Sequence, residues 1–115
     1  MESIVNVLNL NEAVNSNTYN LETVPLVITG KELSPEYPVG AKVIARRVDP
    51  DFYIEWGEAY VLTTSNGVIT RKLMPSNDPN KVKCVSADEK AFPSFDLDKR
   101  FINEFYRITY CLSMK

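Results

Sequence analysis

An all-β fold, or nearly so, is what this chain of 115 residues predicts. Short runs rich in Val, Ile, Thr and Tyr recur along it, each bounded by Gly, Pro, Asn or Asp. Ser65-Asn66-Gly67 sits between two such runs, and Asn-Gly tolerates the positive φ angles that tight hairpins need. No amphipathic stretch of three helical turns is present. Short strands with frequent turn signals point to a single β domain.

Residues 1–22 are polar and Asn-rich, interrupted by Ile4, Val5, Val7, Leu8 and Leu10 without clean alternation. They read as an arm or linker with one short strand at most. From Thr23 the character changes, and 23–115 reads as the domain. Val24-Pro25-Leu26-Val27-Ile28-Thr29 is the first strand, ended by Gly30, with Pro25 near its start or on an edge. Pro35, Pro38 and Gly40 mark turns, and Ser34-Pro35 suits the start of one helical turn. Lys42 to Val48 is the next strand, and Asp49-Pro50-Asp51 ends it. Glu58 to Thr64 and Val68 to Leu73 are the arms of the hairpin, and Lys81 to Ser86 alternates polar and apolar as a half-buried strand does. Ala87 to Arg100 reads as loop, and Phe101 to Met114 as a closing strand.

Composition narrows the function. Apolar residues make up 44% of the chain, enough for a core and too many for a disordered segment. The net charge of −2 with both signs scattered argues against nucleic-acid binding by this segment, because Arg46-Arg47 and Lys81 with Lys83 are too few for a basic patch and read as solvated strand faces. No apolar run is long enough to span a bilayer and no signal peptide is visible, so a cytoplasmic location away from membranes is expected. The chain contains no His. That excludes Ser-His-Asp, Cys-His and His-metal sites within it. Cys84 and Cys111 lack metal spacing and read as two buried free thiols, so neither a metal nor another cofactor is expected.

Two distant stretches carry the remaining signal. One is Gly30-Lys31-Glu32-Leu33-Ser34-Pro35 followed by Gly40-Ala41-Lys42-Val43-Ile44. The other is Tyr60-Val61-Leu62, then Asn66-Gly67-Val68-Ile69-Thr70-Arg71-Lys72-Leu73. Ser86-Ala87-Asp88 and Tyr106-Arg107-Ile108-Thr109-Tyr110-Cys111 follow in order. Together, over residues 24–115, they resemble the C-terminal Ser-Lys peptidase domain of LexA, UmuD and cI-type phage repressors. That resemblance implies a LexA/signal-peptidase-like fold of coiled β-sheets, a nucleophile at position 32 and a base at position 71.

Glu32 and Arg71 stand at those two positions. A Ser-Lys dyad needs a hydroxyl made nucleophilic by a neutral Lys. Arg stays protonated and cannot take the proton. The expectation is a degenerate dyad without catalytic residues, in which Glu32 and Arg71 are either two solvated charges or an ion pair filling the vacated site. A displaced dyad of Ser34 and Lys72 is the active alternative, although a one-residue shift in a strand sends Lys72 to the opposite face from Arg71. A carboxylate pair of Glu32 with Glu55 or Glu58 has only residue type in its favour. The aromatics Phe52, Tyr53, Trp56, Phe92, Phe95, Phe101, Phe105, Tyr106 and Tyr110 read as core and interface rather than as a binding platform. Self-cleaving relatives carry an Ala-Gly bond in the arm. Here Ala13 precedes Val14, and the arm has no Gly.

The implied function is the oligomerisation and regulatory half of a repressor-like transcriptional regulator, reaching DNA only through a domain outside this chain. A module that binds a protein or peptide in the vacated cleft is the other reading. The resemblance implies a homodimer through the last strand, with Tyr106, Ile108, Tyr110, Leu112 and Met114 at the interface, and so much aromatic surface near one end favours it too.

Overall fold

The structure is a computed structural model that describes residues 23–51 and 53–113. The expected arm, Phe52 and Met114 lie outside the described residues.

Seven strands form one antiparallel sheet. They are β1 (Thr23–Val27), β2 (Lys42–Val48), β3 (Ala59–Thr64), β4 (Gly67–Pro75), β5 (Lys81–Val85), β6 (Phe95–Asp98) and β7 (Ile102–Ser113). Their spatial order is β1-β2-β7-β3-β4-β5-β6. The closing strand is thus central, with β2 on one side and β3 on the other. Among the described residues there is no α-helix, only a 3-10 turn at Lys99–Phe101.

The β3–β4 hairpin forms where Ser65-Asn66-Gly67 predicts it, by a different backbone route. Thr64 pairs with Gly67, so Ser65 and Asn66 make the turn. Only Gly67 takes a positive φ, +130°, and Asn66 does not. Thr64 closes the loop: its Oγ1 donates to the Gly67 carbonyl and accepts from the Asn66 N–H.

One element departs from expectation. The segment read as loop, Ala87 to Arg100, contains β6 and the start of the 3-10 turn. β6 pairs with β5 through Val82–Leu97 and Cys84–Phe95. The pairing partner, rather than local propensity, makes this Asp-containing tetrapeptide a strand.

Cross-strand partners share a face, so the register divides the core in two. Ala59 and Val61 of β3 join Leu26, Val43, Ala45, Tyr106 and Ile108 on one face. The segment between β1 and β2 covers that face with Ile28, Leu33 and Ala41. Tyr60 and Leu62 turn the other way, joining Leu73, Val82, Cys84, Ile102 and Phe105. Side chains such as Leu33, Leu62 and Leu73 are essentially sealed from solvent. Truncating any of them to Ala would cost about 2–5 kcal/mol.

Candidate functional site: a buried arginine beside Glu32

Arg71 lies in β4 opposite Tyr60, so its side chain belongs to the Tyr60–Leu73–Cys84 face. The residue is 8% exposed, which is unusual for a charge. Its Nη1 donates to the Thr70 carbonyl at 3.1 Å. The same nitrogen lies 3.5 Å from Glu32 Oε2. The guanidinium carbon stands over the Phe95 ring, 5.6 Å from its centroid. Nε is buried with no hydrogen-bond acceptor among the described residues. A guanidinium offers five donors, so this one is under-used.

Glu32 is delivered by the segment that joins β1 to β2. That segment is tied down by Ile28 N–H to Ala41 carbonyl, Gly40 N–H to Ile28 carbonyl and Tyr37 N–H to Leu33 carbonyl bonds. Its Ser34–Pro35 peptide is cis, where the sequence suggested the start of a helical turn. The Glu32 carbonyl accepts from the Ala87 N–H at 2.8 Å, clipping the segment to the end of β5. Ser86 supports that corner, with its hydroxyl within reach of the Asp88 and Phe92 carbonyls at 3.0 and 2.6 Å. Gly30 leaves the space that the Glu32 carboxylate occupies, since a Cβ on residue 30 would collide with Oε1.

The other sequence candidates fall as follows. Lys72, on the opposite face from Arg71, pairs with Glu36 at 3.2 Å. Ser34 is half-buried in the turn, its N–H bonded to the Lys31 carbonyl. Glu55 pairs with Arg107, far from Glu32 in the sequence and in a different ion pair, while Glu58 is exposed. Tyr106 and Ile108 are buried in the chain's own core, whereas Tyr110 is 63% exposed and Leu112 51%. Among the described residues neither Cys84 nor Cys111 is in a disulfide; Cys84 is buried as expected, whereas Cys111 is only half-buried, near the outer end of β7. Burial pushes the Cys84 thiol up to about 11, against the opposing pull of the Arg71 charge. Tyr60 is raised too, chiefly by burial. Among the described residues no cluster of three Cys, Asp or Glu side chains has a metal-binding arrangement, and no helix is long and apolar enough to cross a membrane.

Two participants were missed in the sequence. Phe95 under Arg71 falls in a segment that reads as loop, because the short Phe95-Asp96-Leu97-Asp98 alternation carries two Asp, which disfavour a strand. Glu36 as partner of Lys72 left no signal.

A groove of about 560 Å³ runs between the end of β2 and the 3-10 turn, lined by Asp49, Lys99, Arg100 and Glu104 among others, and neither Glu32 nor Arg71 lines it. A smaller groove of about 360 Å³ lies beside Phe95, bounded by Thr64, Ser65, Asn66, Ile69, Leu97 and Phe101. No family model, no curated protein and no solved structure matches the chain.

Proposed function

We propose that the chain is a catalytically inactive peptidase-fold domain, serving as the oligomerisation and regulatory half of a repressor-like regulator. The observation that carries the reading is the Glu32–Arg71 contact of 3.5 Å. The positions that the resemblance gives to nucleophile and base are 39 residues apart in sequence and adjacent in space. They are filled by a carboxylate and a guanidinium. A carboxylate beside a permanently charged guanidinium forms an ion pair; it provides neither an activated hydroxyl nor a base with a proton vacancy.

The displaced dyad gains little support, because the Lys72 ammonium is engaged with Glu36 on the other face of β4. Dimerisation through β7 would use Tyr110 and Leu112, the large apolar side chains that this strand exposes. Incubating the purified chain at alkaline pH and weighing it by mass spectrometry tests inertness, and light scattering tests the dimer. Defined N-terminal fragments would overturn the first, and a monomer at about 100 μM, well above micromolar dissociation constants, the second.

A further inference from the structure

We infer that the site formed by Arg71 with Glu32 and Phe95 receives the C-terminal carboxylate of a partner polypeptide ending in a bulky apolar residue. Arg71 takes the carboxylate, and the groove beside Phe95 takes the side chain.

A charge this deeply buried is stabilised by well-made charge-assisted hydrogen bonds. Arg71 has one, to a neutral carbonyl, and a 3.5 Å approach from Glu32 that is longer than such a bond. Its Nε is buried without an acceptor. A planar guanidinium in that condition matches a bidentate carboxylate.

Glu32 holds the place without filling it. Its backbone is clipped to Ala87, so only the side chain has to turn aside to admit a second carboxylate. That side chain retains 21% of its exposure.

The apolar half of the site adjoins. Phe95 lies under the Arg71 guanidinium, 5.6 Å from ring centroid to guanidinium carbon, and also lines the groove with Ile69, Leu97 and Phe101. Ile69 and Arg71 are two residues apart on one strand face, roughly 7 Å along β4. A single terminal residue presents a carboxylate and a side chain from one Cα, over about that reach. An internal Asp or Glu would need a second residue to fill the groove, and a basic ligand would be repelled by Arg71. Phe95 and Phe101 are 39% and 55% exposed, so the groove is open to such a ligand.

Fluorescein-labelled hexapeptides ending in Leu or Phe, each made as free acid and as amide, test this by fluorescence anisotropy on the whole chain. The free acids should bind at least about tenfold more tightly than the amides, the usual scale for a lost charge-assisted pair. Glu32→Gln should tighten free-acid binding several-fold, by removing the internal competitor. Phe101→Ala, an exposed change that leaves the core alone, should weaken acid and amide alike. Equal affinity for acid and amide overturns the proposal, and so does a Glu32→Gln variant that binds no better than the parent. Peptides with an internal Glu and an amidated end that bind as well as the free acids would also overturn it. Thermal melts of each variant establish that the fold is intact.

Discussion

A methyl group on residue 30 would occupy the place of the Glu32 carboxylate. Gly30 has no positive φ and no turn that demands glycine, so its role here is room. The residue two positions before Glu32 thereby decides whether Glu32 can lie against Arg71.

Gly30→Ala should therefore behave like loss of the ion pair. The obstructed atoms are the end of a flexible side chain, so the carboxylate swings away while the backbone stays. The pair is neither fully exposed nor sealed, so Glu32→Gln and Gly30→Ala should each cost about 1–3 kcal/mol, between the exposed and buried limits. The double variant should cost little more than either single one. Urea unfolding of the four proteins measures this. Additive losses would mean that Gly30 and Glu32 act separately.

How far the sequence announced this arrangement differs by element. Lys42–Val48 was legible to the residue, because β-branched residues run between Gly40 and the Asp49-Pro50 stop. The β3–β4 hairpin was legible from Asn66-Gly67, although the backbone puts the positive φ on Gly67 alone. β6 was not, because two Asp in four residues read as loop until β5 supplies the partner. At the site, the opposite facing of Arg71 and Lys72 follows from the two-residue strand period. The meeting of Glu32 with Arg71 was expected only through resemblance, since no local rule joins residues so distant. The steric role of Gly30 and the stacking of Phe95 needed three-dimensional packing to appear.

Stability should fall as the solution becomes alkaline. The Cys84 thiol is raised from 9.0 to about 11 by burial, so the fold favours its neutral form. Its contribution is complete below the ordinary value and is lost as pH rises through the folded one. Tyr60 and Tyr37 shift in the same direction, chiefly through burial, and extend the loss upward. Urea midpoints should drop between about pH 8.5 and pH 11, and Cys84→Val should flatten the drop. A midpoint constant across that window would contradict this. Cys84 should also resist thiol reagents near neutrality while half-buried Cys111 reacts first.

Association should depend on the outer end of β7. Tyr110 and Leu112 present apolar surface, whereas Tyr106 and Ile108 are spent on the core. Tyr110→Asp with Leu112→Asp should convert a dimer to a monomer at about 100 μM without lowering the melting temperature sharply, because exposed substitutions cost little in the fold. A dimer that survives both changes places the interface elsewhere.

Inertness is tested most directly by the intact mass of the purified chain after prolonged incubation at about pH 9.5, where a buried Lys base would be deprotonated but Arg would not. A single unchanged mass, equal to that of a sample kept at neutral pH, is the expected result. Discrete N-terminal fragments would contradict it, and their disappearance in Ser34→Ala would assign the chemistry to Ser34 with Lys72.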